Sequence, residues 1–202
     1  MFLINEILDI APGRREEGRA RLAWIHSLMA NKPGFRKAIV AKYLGDGTRH
    51  TVLRCWEDEA AYLAFRAGPD GNYGRGRPEG LYANDPVVPQ WNSLWETFGL
   101  ADGGYLVKQQ WEVPEDAWDA FSQQEQAMAE LARDAGGLCE YQLLRAKDRS
   151  EALAVIRFAD RTVFENLIEN ADYADARKSL PEGVRHLSTH CYEIVSEVGP
   201  TL

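Results

Sequence analysis

The chain is short of cysteine, of histidine and of positive charge, and it contains no long apolar run. Its 202 residues include 3 cysteines, Cys55, Cys139 and Cys191, an odd and widely spaced set that supports neither a disulfide framework nor a zinc site. Each reads as a small buried hydrophobe. The 4 histidines contain one close pair, His186 and His190. That spacing holds a metal when it lies on a helix, but the segment from Arg185 to Tyr192 has the β-rich ending of a strand, so no metal is expected. Lys and Arg total 23 against 31 Asp and Glu, a net charge of −8, and a field of that sign repels phosphate backbones. Nucleic acid is therefore not an expected partner. No apolar stretch approaches the roughly 20 residues of a membrane helix, and Met1-Phe2-Leu3-Ile4-Asn5 lacks the basic start of a signal peptide. A cytoplasmic protein without a membrane partner is the expectation.

What is present is ordinary globular composition, 45% apolar, 27% charged and 10% aromatic, and a pattern written twice. Both halves open with a strand-like segment, Phe2 to Ile10 and Tyr105 to Val113, followed by Pro12 or Pro114 and a helical stretch. Leu22, Ile25, Leu28 and Met29 mark one face of the first helix, and Phe121, Met128 and Leu131 mark one face of its counterpart. Each helix runs into a glycine turn, at Gly34 and at Gly136-Gly137. Strands over Lys37 to Leu44 and Glu140 to Arg145 follow. His50 to Trp56 then matches Ala152 to Phe158 at a constant offset of 102 residues, with Asp58 and Asp160 as helix N-caps at the same offset. Tyr62 and Phe65 correspond to Phe164 and Leu167 on the second helix, and Trp95-Glu96-Thr97-Phe98 to Tyr192-Glu193-Ile194-Val195 on a final strand.

The pattern predicts an α+β fold of two ferredoxin-like β-α-β-β-α-β units, residues 1–99 and 104–202, packed sheet to sheet as a single-chain dimeric α+β barrel. A pseudo-dimeric monomer results, with further homodimerisation open. The first half carries extra length in the segment from Gly68 to Pro89, whose glycines and prolines exclude a helix or strand interior and predict a long loop, either a mobile lid or pocket wall or a variable surface loop. Its Gly74-Arg75-Gly76-Arg77-Pro78-Glu79-Gly80 has neither the ending of a P-loop nor dinucleotide spacing.

The paired unit, the Pro33-Gly34-Phe35 turn and the run Trp56-Glu57-Asp58-Glu59-Ala60-Ala61-Tyr62 resemble the antibiotic biosynthesis monooxygenase family of dimeric α+β barrels. Within it, the resemblance is greatest to cofactor-independent monooxygenases that oxidise aromatic polyketide anthrones to quinones. These carry a Trp at the end of strand three and a Tyr six residues on, matched by Trp56 and Tyr62; the Asn they carry four residues before the Trp is Val52 here. The second half has Ala154, Phe158 and Phe164 at the three positions. Compared with the haem-degrading branch, Asn5 fits the strand-one Asn, but Phe65 and Arg75 replace its Trp and His, which leaves no axial ligand.

Alternation places His50, Val52, Arg54 and Trp56 on one face of strand three, against Ala152, Ala154, Ile156 and Phe158 in the second half. This asymmetry predicts one working pocket, in the first half, for a small, flat aromatic molecule. The expected catalytic set is His50 as base, Arg54 as enolate stabiliser, Tyr62 as hydrogen-bond donor and Trp56 as stacking platform, with Asn5, Phe65, Tyr82, Trp91 and Trp95 lining the substrate and no cofactor. A polyketide cyclase or isomerase, and a non-catalytic small-molecule-binding or stress-associated barrel, are the alternative functions the residues leave open.

Overall fold

A computed structural model describes residues 1–45 and 48–199; residues 200–202 of the second expected unit lie outside the described residues. In chain order the elements are β1 (Phe2–Asp9), α1 (Arg15–Met29), β2 (Phe35–Tyr43), β3 (Arg49–Trp56), α2 (Glu59–Ala67), β4 (Gln90–Phe98), β5 (Tyr105–Glu112), α3 (Trp118–Asp134), β6 (Leu138–Ala146), β7 (Glu151–Phe158), α4 (Arg161–Glu169), α5 (Ala171–Lys178) and β8 (Arg185–Val198). The chain forms two compact units, residues 1–91 with 194–202 and residues 92–193, so that each boundary falls inside a last strand, β4 or β8.

In unit 1 the central strand β3 pairs antiparallel with β1 and β2. The register sets Phe2 opposite Trp56, Ile4 opposite Arg54, Glu6 opposite Val52 and Leu8 opposite His50, so these eight side chains share the face covered by the helices. Asn5 and Thr51 lie on the other face, where Thr51 Oγ1 donates to Asn5 Oδ1 at 2.8 Å. Against the first face α1 buries Gly18, Leu22, Ile25, His26 and Met29, and α2 buries Tyr62 and Phe65. The turn between α1 and β2 depends on Gly34, which has φ 76° and leaves no room for a Cβ against Ala61 of α2.

Unit 2 repeats the plan with β7 between β5 and β6. Besides Trp118, α3 buries Phe121, Glu125, Met128, Ala129 and Ala132, each at an offset of 103 residues from a buried position of α1. Asp58 accepts from Ala61 N at 2.8 Å and Asp160 from Val163 N at 3.0 Å, so both second helices start on the caps read from the sequence. Both sheets are one strand-turn-helix plan, and the α+β fold of two ferredoxin-like units follows from it. Where unit 1 has the segment after Gly68, unit 2 has α5, a helix the sequence pattern did not predict; its charged residues and low apolar content conceal its one buried anchor, Tyr173. The unit 1 segment is a loop that opens with a 3-10 turn over Pro69–Asn72. Among the described residues, no helix is long and apolar enough to cross a membrane.

Candidate functional site

Arg54 occupies the middle of an otherwise apolar sheet face, 1% exposed. A buried guanidinium is costly unless paired, and its Nη1 donates to Glu6 on the neighbouring strand β1. Burial works against the charge on Arg54, but Glu6 and the tyrosines Tyr73 and Tyr82 outweigh it and raise its pKa. The side of the guanidinium formed by Nε and Nη2 has no protein partner although both atoms are buried. Those two N–H groups lie side by side in the geometry that binds a planar pair of oxygens or one oxyanion.

A chain of aromatic rings leads up to this charge. Trp56 stacks on Phe65 with ring centroids 5.2 Å apart, Phe65 stacks on Tyr73 at 6.0 Å, and Tyr62 meets Trp56 edge-on at 6.0 Å. The Arg54 guanidinium lies 5.6 Å from the Tyr73 ring centroid, inside cation–π range. Burial, with the negative field of neighbouring groups such as Tyr73, raises the pKa of Tyr62; burial and Glu6 do the same for Tyr82, so both hydroxyls keep their protons at neutral pH. Tyr73 and Tyr82 come from the loop. That loop is held by α1 through its backbone: Arg21 Nη2 donates to the carbonyls of Tyr73 and Arg75, and Arg14 Nη1 to that of Glu79. It is tied to β1 by Asn5 N to Pro89 O at 3.0 Å and Ile7 N to Val87 O at 2.8 Å. These contacts pack the segment against α1 and β1 of unit 1.

His26 completes the group. It is 1% exposed, and its Nε2 is buried without a protein partner. Burial, reinforced by the Arg54 charge, drives its pKa down to about 3, so the imidazole is neutral at physiological pH. The sequence reading did not single out Glu6 or His26. The signal for both was an ionisable residue at a position whose periodic neighbours are apolar: Glu6 between Ile4 and Leu8, and His26 between Ile25 and Met29.

The structure thus brings together Arg54, Trp56, Tyr62, Phe65 and Tyr82 from the expected set and separates four others. His50 shares the sheet face with Arg54 but stands four residues away, roughly 13 Å along a strand. Its Nδ1 contacts the Thr48 carbonyl at 2.9 Å. Burial lowers its pKa, the Thr48 contact opposing this and the charges of Arg15, Arg19 and Lys42 adding to it. Asn5 lies on the opposite sheet face because it is one residue out of phase with Glu6. Trp91 is buried at the start of β4. Trp95 belongs to unit 2, where it stacks on Tyr141 at 5.5 Å and donates from Nε1 to Ser122 Oγ at 3.1 Å. A groove of about 540 Å³ outside α2, between Lys32, Gly34, Ala61, Phe65 and Asp70, touches the aromatic group only through Phe65 and is bridged by the Lys32–Asp70 ion pair at 2.6 Å.

Unit 2 holds a different buried cluster. Arg177 of α5 donates to Glu125 Oε1 at 2.5 Å, to Gln109 Oε1 at 2.8 Å and to the Tyr173 hydroxyl at 3.2 Å, while the Tyr141 hydroxyl donates to Glu125 Oε2 at 2.6 Å. Burial raises the pKa of Tyr141 and of Tyr173. The expectation that the second half lacks polar groups holds for the strand positions compared, but α3 and α5 supply the polar groups that β7 does not. His186, at a strand position as read, contacts Thr189 Oγ1 at 2.8 Å.

The segment carrying Glu6, His26, Arg54, Trp56, Tyr62 and Phe65 is also where a known family is recognised, since the family model for antibiotic biosynthesis monooxygenase matches residues 1–70. The matched residues run from β1 through α2 of unit 1. Solved structures extend the likeness of fold beyond that segment. A monooxygenase candidate from Fusobacterium nucleatum is 9% identical, with 98% of this chain and 94% of that chain covered and a TM-score of 0.78. A monooxygenase candidate from Lactobacillus acidophilus is 10% identical, covering 98% and 95%, with a TM-score of 0.72. An anthrone oxidase-like protein is 12% identical, covering 98% and 92%, with a TM-score of 0.69. At such identities the likeness is one of fold. No curated protein sequence matches the chain.

Proposed function

We propose that the chain oxidises an electron-rich, polyketide-like aromatic metabolite with dioxygen, without a cofactor, at the Arg54 group of unit 1. The observation that carries this reading is the buried, partnerless Nε/Nη2 edge of Arg54 beside the rings of Trp56, Phe65 and Tyr73. Aromatic side chains with few polar groups suit a flat ring system, and an oxygen that gains negative charge is stabilised by a fixed guanidinium far more than by bulk water.

The chemistry asks little else of the protein. An anthrone in its enol form gives up the hydroxyl proton. The resulting anion passes one electron to dioxygen, and the radical pair collapses to a carbon-bound peroxide anion. That anion takes up a proton and loses water, so that a CH₂ group and O₂ become a C=O group and H₂O. Arg54 holds the substrate oxygen, Trp56 and Phe65 hold the ring plane, Tyr62 donates a hydrogen bond, and the Tyr73 and Tyr82 loop excludes water.

The test is oxygen uptake by the full chain with a panel of anthrones and naphthols, followed with an oxygen electrode and by quinone absorbance. One O₂ consumed per quinone formed, unaltered by prolonged dialysis against a chelator, supports the reading. Binding of the same compounds without oxygen uptake favours the non-catalytic alternative, and isomerised or cyclised product without uptake favours the other.

A further inference from the structure

A proton acceptor must stand beside the oxyanion site, and His50, the histidine selected by titration range alone, stands at the far end of β3. We propose that His26 is the catalytic base of the unit 1 site, taking the proton of the substrate hydroxyl at Nε2 while the oxygen left behind seats on the Nε/Nη2 edge of Arg54. This rests on the monooxygenase reading for its substrate and goes beyond it in assigning the residue.

Three observations carry the assignment. His26 and Arg54 are each 1% exposed, and both aim partnerless buried nitrogens beneath the helices: Nε2 from one, Nε and Nη2 from the other. His26 lies on the buried stripe of α1 and Arg54 on the sheet face that this stripe covers, and the Arg54 charge contributes to lowering the His26 pKa. Finally, the shared helix plan does not call for an imidazole here, because the residue 103 positions later on the matching face of α3 is Ala129. A buried imidazole nitrogen with no protein partner is a cost to folding that a proton-bearing ligand would offset.

The same geometry explains why the base is poised although an adjacent cation disfavours its protonation. The cation favours ionisation of the substrate hydroxyl by the same electrostatics, and once the anion has formed on Arg54 the field felt by His26 is reduced. In the transfer the substrate O–H bond breaks, the electron pair stays on oxygen and an N–H bond forms on Nε2. After dioxygen adds, that N–H returns its proton to the peroxide anion, and His26 is neutral again when water leaves.

The experiment uses the full chain with His26→Gln and His26→Met, neither of which leaves a buried charge behind, so both retain the fold; thermal midpoints at neutral pH check this. With an anthrone, kcat/KM should fall by about 10² to 10⁴ in both variants, the range of a lost general base, with the decrease in kcat rather than in KM. Either variant within about threefold of wild type overturns the assignment. A second arm does not depend on oxygen chemistry. 4-Nitrophenol, whose anion alone is yellow, should bind the wild type as the anion at a pH where the free compound is mostly neutral, and should bind both variants as the neutral phenol. Neutral binding by the wild type, or no binding, overturns the proposal. Anionic binding that depends on His26, combined with no oxygen uptake from any anthrone, upholds the His26 and Arg54 pair and sinks the monooxygenase reading instead.

Discussion

Both units bury one arginine with one glutamate beneath their helices, and they do so from different positions. In unit 1 the arginine comes from the central strand and the acid from β1, as Arg54 and Glu6. In unit 2 the corresponding positions are Ile156 and Gln109, while the arginine arrives on α5 and the acid on α3, as Arg177 and Glu125. Gln109 still touches an arginine, as Glu6 does, so the strand-one position keeps its role of acceptor while its donor changes origin. The outcome differs in one respect that matters for function. Arg177 engages both terminal nitrogens with protein acceptors, whereas Arg54 engages one and leaves a whole edge open. Arg177 also has a buried Nε without a protein acceptor, but that N–H stands alone, whereas the two open N–H groups of Arg54 form one face that a pair of ligand oxygens can fill.

The largest expected effect breaks the architectural pair. Arg177→Met leaves Glu125, wholly buried, without its counter-charge, and should cost about 3–5 kcal/mol. Phe158→Ala, which removes a fully buried ring from the same unit, should cost a similar ~3–5 kcal/mol. Chemical denaturation measures both. If unit 1 is the working unit, residual folded protein of either variant keeps wild-type kcat/KM for aromatic oxidation; a loss of activity greater than the loss of folded protein would show that the site extends into unit 2.

A second effect separates the units by pH. The His26 pKa is lowered on folding from 6.5 to about 3, so the unfolded chain binds the extra proton and the stability of the neutral, buried state is lost as pH falls below 6.5 toward 3. By pH 4 this should amount to about 2–4 kcal/mol, absent in His26→Met. In unit 2 a different buried group is shifted, Lys108 of β5, lowered to about 7 by burial, whose contribution is complete above 10.5 and lost as pH falls toward 7. Denaturation midpoints across pH 3–11 should therefore show an acid step removed by His26→Met and an alkaline step removed by Lys108→Met. An acid step of full size in His26→Met would place the titration elsewhere.

These contrasts also mark where the sequence was legible. The repeat could be read because core positions, caps and turns are set by local rules: Asp58 and Asp160 cap, Gly34 and Gly137 turn, and Trp56 and Phe158 fill the same place. Arg54, Trp56, Tyr62, Phe65 and Tyr82 could be chosen because strand alternation and one resemblance pointed to a single face. Glu6 could not be paired with Arg54 without the β1–β3 register, and the face that excludes Asn5 follows from the same register. His26 was hidden among apolar neighbours on α1, and His50 was favoured because titration range is visible in sequence while distance is not. The unit 2 cluster escaped because the halves were compared position by position, and its arginine lies on a helix with no counterpart in unit 1.

At the binding edge, Arg54→Ala should weaken an anionic aromatic ligand by roughly 1.5–3 kcal/mol, about one to two powers of ten in Kd, as a charge-assisted hydrogen bond is lost. Because Glu6 is left behind, Arg54→Ala is best measured together with the double variant carrying Glu6→Gln, which restores neutrality without restoring the edge. Titration calorimetry decides. Recovery of affinity in the double variant would mean that the guanidinium only balances Glu6 and does not hold ligand.

The smallest expected effect tests the part in which the two units agree. Asp58→Ala and Asp160→Ala each remove a side-chain acceptor from the first turn of a second helix, at 2.8 and 3.0 Å from its amide, and each should cost about 1 kcal/mol, the ordinary value of an N-cap. On stability the two should be indistinguishable, a shift of about 2–4 °C in thermal midpoint for a chain of this size. On function they should part. The helix capped by Asp58 carries Tyr62 and Phe65, which edge and stack against Trp56, whereas the helix capped by Asp160 carries Phe164 and Leu167, which only pack. Fraying the first turn of α2 should therefore raise KM for the aromatic substrate several-fold in Asp58→Ala and leave it unchanged in Asp160→Ala. An equal change in both variants would mean that the two helices serve the chemistry alike, and the division between a binding unit and an architectural unit would fall.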